Sequence, residues 1–313
     1  GLAREVARQS IVLLKNKDKL LPLKKDIRTL AVIGPNADNV YNMLGDYTAP
    51  QADGTVVTVL DGIRQKVSKE TRVLYAKGCA VRDSSRTGFK DAIETARNAD
   101  AVVMVMGGSS ARDFSSEYEE TGAAKVTINQ ISDMESGEGY DRATLHLMGR
   151  QLELLEEISR LGKPVVLVLI KGRPLLMEGA IQEAEAIVDA WYPGMQGGNA
   201  VADVLFGDYN PAGRLTLSVP RSVGQLPVYY NTRRKGNRSR YVEEPGTPRY
   251  PFGYGLSYTT FSYTDMKVQV TEGSDDCRVD VTVTIQNQGT ADGDEVAQLY
   301  FRDDVSSFTT PAK

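Results

Sequence analysis

The chain has 313 residues, 41% of them apolar and 25% charged, and a formal net charge of −4. That length gives room for one large domain and part of another, and the apolar share can offset the entropy of ordering a core, so disorder is not the default. Basic residues are spread along the chain, which argues against capture of nucleic-acid phosphates and favours a neutral ligand.

The opening residues, GLAREVARQSIVLLKN, read as a helix from the middle of a protein, with apolar positions at Leu2, Val6, Ile11, Leu13 and Leu14. They lack the charged-then-apolar order of a signal peptide. Short β-branched runs at 30–33, 72–75 and 101–106 predict buried strands, with helices at 57–67 and 89–98 between them. A helix at 151–161, strands at 164–170 and 187–191 and a helix at 199–206 continue the alternation. This order predicts right-handed crossovers and a layered αβα sandwich around a mostly parallel sheet. Ligand sites in such folds lie beyond the carboxyl ends of the strands, here the loops after Ile33, Met106, Ile170 and Trp191.

From 210 to 251, prolines and glycines predict an extended connection; its basic cluster, Arg233, Arg234, Lys235, Arg238 and Arg240, reads as a solvated loop. From Phe261 the residues alternate in strand fashion through Ile285, turn at Gln288 and Gly289, and resume at 296–301. This is an all-β sandwich that stops before its about seven strands are complete. Both ends therefore read as cut. The expected division is 1–28 as linker from an upstream domain, 29–220 as the α/β sandwich, 221–259 as the connection and 260–313 as the partial β domain.

The chemistry-bearing residues are few in kind. One histidine, His146, and two distant cysteines, Cys79 and Cys277, give little material for a histidine metal site, a Ser-His-Asp triad or a thiolate cluster. No apolar run approaches the roughly 20 residues that span a bilayer. No metal, organic cofactor, nucleic acid or membrane is expected as a partner, and self-association stays open.

The loop from 107 to 142 is long enough to expect function. Its carboxylates are Asp113, Glu117, Glu119, Glu120, Asp133, Glu135, Glu138 and Asp141, most of which composition alone would leave as solvated charges. Glu138 stands out because Gly137 and Gly139 flank it, a setting that lets backbone turn sharply and project a carboxyl group into a neighbouring site. Asp141 and Arg142 could fix such a loop by charge-assisted hydrogen bonds. Glu135 is the rival acid, without glycines on both sides. Glu117, Glu119 and Glu120 read as an exposed insert. Trp191 and Tyr192 could stack on a sugar or pack at a boundary, and Tyr254 and Tyr258 are expected to line a seam between domains.

Four segments in order, LAVIGPNA at 30–37, SGEGYDR at 136–142, ADVLFGDYNPAGR at 202–214 and YPFGYGLSY at 250–258, resemble family 3 glycoside hydrolases. The last residues, through Asn287-Gln288-Gly289 and 295–300, resemble that family's fibronectin-III-like appendage. The resemblance implies a retaining exo-glycosidase acting on terminal β-D-glucosyl or β-D-xylosyl residues of short oligosaccharides. It implies an aspartate nucleophile on a (β/α)₈ barrel outside this chain and, by position in the motif, Glu138 as the acid/base. Retaining chemistry needs the two carboxyl groups about 5 to 5.5 Å apart, so the loop must reach across a domain interface. Glu138 must also carry a proton when the bond breaks, which docking against a barrel favours and a solvated loop does not. Ser132-Asp133-Met134 resembles the nucleophile signature, but it lies in a polar loop with no barrel strand beneath it. The family implies a periplasmic or secreted setting. The alternative reading is a carbohydrate-binding or interdomain scaffold without turnover, which the missing nucleophile barrel would also allow.

Overall fold

The computed structural model describes residues 1–111, 120–121, 133–231, 241–272 and 277–301. Asp113, Glu117, Glu119 and the basic cluster from Arg233 to Arg240 lie outside these described residues.

Six strands form the main sheet: β1 (Val12–Asn16), β2 (Thr29–Ile33), β3 (Arg72–Ala76), β4 (Ala101–Gly107), β5 (Val165–Ile170) and β6 (Ala186–Trp191). Their order across the sheet is β1-β6-β5-β4-β2-β3, parallel throughout except for β1, which runs antiparallel to β6. The central strands β2, β4 and β5 are buried along their whole length, as strands covered on both faces must be. Period-two alternation divides their side chains between two cores. Val103, Val105, Val166 and Val168 meet helices α1 (Leu2–Ser10), α2 (Val59–Lys66) and α6 (Gly197–Leu205) on one face. Met104, Met106, Leu167 and Leu169 meet α3 (Phe89–Arg97), α4 (Gln151–Ser159) and α5 (Glu178–Glu183) on the other. The αβα sandwich predicted from the alternating runs is therefore the fold.

Two sequence expectations change. The opening segment is not one helix: α1 ends at Ser10, and Val12–Asn16 becomes the edge strand β1 paired with β6. Ile11, Leu13 and Leu14, assigned to a helical face, are buried, Leu13 and Leu14 on opposite faces of this strand, and the sheet thus begins inside the segment expected to be linker. At the other end, β7 (Phe261–Glu272) pairs with β8 (Cys277–Asn287) as an antiparallel ladder, but 296–301 forms no strand. Among the described residues β8 has no second neighbour, so alternation there finds no backbone partner. Met266, Val268, Val270 and Val279 on this ladder are exposed.

The connection at 221–259, as far as it is described, is tied down along its course. Val219 bridges Tyr250, Leu256 bridges Leu13, and the hydroxyls of Tyr254 and Tyr258 donate to the carbonyls of Leu14 and Val204. Both tyrosines are thus packing residues against the sandwich. Burial pushes the Tyr258 hydroxyl far above its usual range. Gly207-Asp208-Tyr209-Asn210-Pro211 stops α6, and Asn210 accepts hydrogen bonds from Ser257 and Tyr258 at 2.8 and 2.7 Å. A buried carboxylate, Asp203 on α6, joins three helices by accepting from Arg4 of α1 at 2.7 Å and Lys66 of α2 at 2.6 Å.

Candidate active site

After β2 the chain moves outward to β3, then returns to form β4 on the other side of β2. The loops following β2 and β4 therefore part in opposite directions. In open parallel sheets the crevice outside the carboxyl ends at such a point is the usual ligand site. Both loops bring functional groups there.

The base of the crevice is a buried polar chain. Asn36, after β2, donates through Nδ2 to the carbonyls of Gly108 and Ile170 at 3.0 and 3.3 Å, closing the ends of β4 and β5. Its Oδ1 accepts from Asn42 Nδ2 at 2.7 Å, and Asn42 Oδ1 accepts from Ser109 Oγ at 2.6 Å. The Ser109 carbonyl then accepts from the backbone N–H groups of Glu135 at 2.8 Å and Ser136 at 3.3 Å. Each buried polar group finds a partner in the next, so the 133–149 segment starts from a fixed point. Gln151, at the start of α4, clasps Gly107 from below: its Oε1 accepts from the Gly107 N–H and its Nε2 donates to the Gly107 carbonyl, each at 2.8 Å.

Glu135 belongs to this base. Its carboxyl group is held by Arg142 Nη1 at 2.6 Å, with the two side chains 1% and 6% exposed. Arg142 also donates through Nη2 to the His146 carbonyl, so one guanidinium ties both ends of the loop. Glu135 comes so close to Gly108 that a Cβ there would lie 2.1 Å from its Oε1. A carboxylate enclosed in this way cannot reach a second surface. Asp133 is structural as well: its Oδ1 caps the backbone N–H groups of Val81 and Arg82 at 2.9 and 3.2 Å. Ser136 meets the Tyr192 hydroxyl at 3.2 Å, which makes Tyr192 a wall of the loop base.

Glu138 belongs to the tip. It is exposed, between Gly137 at φ +108° and Gly139 at φ +80°, backbone that side-chain-bearing residues rarely adopt. Its N–H donates to Asp46 Oδ2 at 3.3 Å and its Oε2 accepts from the Tyr47 hydroxyl at 2.6 Å. Asp46 and Tyr47 come from the loop after β2, so the tip is steadied across the crevice. Arg82 lies over the Tyr140 ring, 5.8 Å from its centroid. Asp141 is exposed and, among the described residues, makes none of the bonds expected of it, whereas Arg142 donates to Glu135 and to the His146 carbonyl.

The structure places the expected Glu138, Glu135 and Arg142 on one loop and sets beside them Asn36, Asn42, Asp46, Tyr47 and Ser109, which the sequence did not single out as candidates. Asn36 lies inside the LAVIGPNA segment, and Asp46 and Tyr47 follow Gly45 in the loop that the carboxyl-end rule had marked, so placement was available and pairing was not. His146 is exposed and serves the site through its carbonyl. Cys79 is buried; burial first, then the nearby Asp133 carboxylate, pushes its thiol up to about 12, which makes it a poor nucleophile. Among the described residues, no cluster of three or more His, Cys, Asp and Glu could hold a metal ion, and no helix is long and apolar enough to cross a membrane.

Residues 11–258 match the profile described as the Glycosyl hydrolase family 3 C-terminal domain, and the chain belongs to that family. A β-xylosidase of Formosa agariphila is 42% identical over 97% of this chain and 40% of its own length. A periplasmic β-glucosidase of Salmonella typhimurium is 39% identical over 99% of this chain and 41% of its own. The solved β-glucosidase of Erythrobacter marinus superposes with a TM-score of 0.82 at 37% identity, covering 99% of this chain and 42% of that one. The chain thus spans about two fifths of the length of the relatives it matches.

Proposed function

We propose that this chain supplies the acid/base carboxyl group, Glu138, of a retaining exo-glycosidase that removes terminal β-D-glucosyl or β-D-xylosyl residues from short oligosaccharides. The attacking carboxylate would stand on a barrel domain outside these 313 residues. The observation that carries the reading is the contrast between two glutamates three positions apart. Glu135 is 2% exposed and locked to Arg142, while Glu138 stands exposed on a glycine-flanked tip at the crevice where the strand order reverses. The names of the relatives, β-xylosidase and β-glucosidase, give the sugar classes.

In the first half-reaction the barrel carboxylate attacks the anomeric carbon while Glu138 passes its proton to the departing oxygen. In the second, the Glu138 carboxylate takes a proton from water as that water releases the sugar. Glu135 and Arg142 hold the loop, and the exposed Asp141 is available to the surface that covers it. The relative named as periplasmic supports export of the whole protein.

The test is Glu138→Ala in the protein joined to its barrel. Turnover of a 4-nitrophenyl glycoside should fall about 10²- to 10⁴-fold and recover in part with added azide, which attacks the glycosyl intermediate without base assistance. Unchanged turnover, or a loss that azide leaves untouched, would favour a scaffold role for this loop.

A further inference from the structure

Tyr47, in the loop after β2, stands in an unusual backbone conformation. Its φ is +57°, a left-handed value that bulky residues rarely adopt, yet the residue is 77% exposed. Asp46 fixes it there. Asp46 Oδ1 accepts from the Tyr47 N–H at 2.8 Å, and its Oδ2 accepts from the Glu138 N–H at 3.3 Å. One carboxylate thus joins the turn after β2 to the acid loop. A Cβ at Gly137 would lie 2.7 Å from that Oδ2, so the absence of a side chain is what admits Asp46. The geometry that results carries the Tyr47 hydroxyl to 2.6 Å from Glu138 Oε2.

We infer that Tyr47 is a positioning residue for proton transfer by Glu138, an inference that rests on the acid/base reading of Glu138. Oε2 accepts from the Tyr47 hydroxyl, so in the proposed reaction it is Oε1 that carries the proton to the glycosidic oxygen. As the bond from the anomeric carbon to that oxygen breaks, its electron pair stays on the oxygen and the proton moves there from Oε1. Negative charge then develops on Glu138 beside a donor already in place. The Tyr47 hydroxyl keeps its own proton, and its hydrogen bond becomes charge-assisted, hence stronger, as the reaction proceeds.

The hydroxyl should matter most where proton donation matters most. Tyr47→Phe in the protein joined to its barrel should lower kcat/KM about tenfold for a disaccharide or methyl glycoside, whose leaving oxygen needs a proton. The same variant should lose no more than about twofold on a 2,4-dinitrophenyl glycoside, which leaves without one. An equal loss on both substrates, or no loss on either, would overturn the inference, because strain relief or lost stacking does not sort substrates by leaving group. Glu138→Gln serves as the control and should sort the same two substrates more steeply. If it does and Tyr47→Phe does not, only the role of Tyr47 fails; if Glu138→Gln does not, the assignment of Glu138 fails and this inference with it. Matching melting temperatures for Tyr47→Phe and the parent exclude misfolding as the cause.

Discussion

The base and the tip of the 133–149 loop use the same residue type for opposite ends. At the base, Glu135 is enclosed by Arg142, Gly108 and the Ser109 carbonyl, and its charge is neutralised inside the protein. At the tip, Glu138 is exposed and steadied from another loop by the Tyr47 hydroxyl, which donates to its carboxyl group, and by Asp46, which accepts from its N–H. The difference teaches that an exposed carboxyl group can be held in place without being buried, provided the segment three residues away is anchored in a polar core. Rigidity is built at one end of the loop, and the carboxyl group proposed to react is presented at the other.

The comparison breaks most easily at the tip. Glu138→Gln should cost about 10²- to 10⁴-fold in turnover of a disaccharide while leaving the melting temperature within about 2 °C of the parent. Glu135→Ala should do the reverse in kind, leaving the Arg142 charge buried without its partner, at about 3 to 5 kcal/mol in urea denaturation. Activity should then fall with the folded fraction and show no azide rescue. If Glu135→Ala proved stable and rescued by azide, the two roles would have to be exchanged.

Gly137→Ala probes the junction between base and tip. The added Cβ would lie 2.6 Å from Met134 Cε and 2.7 Å from Asp46 Oδ2 at a φ of +108°, so a loss of about 2 kcal/mol is expected, together with a lower kcat as the acid is displaced. A variant as stable and active as the parent would mean that Asp46 does not brace the loop.

Asp203 gives a smaller effect far from the crevice and asks whether the rule for the base holds elsewhere. Burial alone would raise its carboxyl group, but hydrogen bonds and charges from Arg4 and Lys66 outweigh that and hold it below its ordinary value. A lowered folded value means that this stabilisation is present above the unfolded value near 3.9 and is lost as pH falls through the folded one. Asp203→Asn should therefore reduce stability near pH 7 by about 1 to 3 kcal/mol and flatten the acid limb of a melting-temperature profile. An unchanged acid limb would count against the network.

Much of the fold was legible because buried parallel strands write continuous β-branched runs, as in Ala101–Gly107 and Val165–Ile170. The strand Val12–Asn16 was not, since only Ile11 separates it from α1 and its apolar residues extend the helical pattern without a turn signal. The six-residue helix α5 was missed because it is too short to develop a period. At the candidate site, the sequence singled out Glu138 by its two glycines and Arg142, with Asp141, as a charged group able to fix the loop, but it did not show that Arg142 would take Glu135 as its partner. Tyr47 was not legible, because its bond to Glu138 joins residues 91 positions apart and depends on a strand order that local pattern does not encode.

The most direct test of the account is a structure of the protein with its barrel, bound to an unreacted glycoside. The account predicts the Glu138 carboxyl group about 5 to 5.5 Å from the attacking carboxylate and within about 2.6 to 3.2 Å of the glycosidic oxygen. A Glu138 side chain turned to bulk solvent, with another carboxylate at that oxygen, would contradict it.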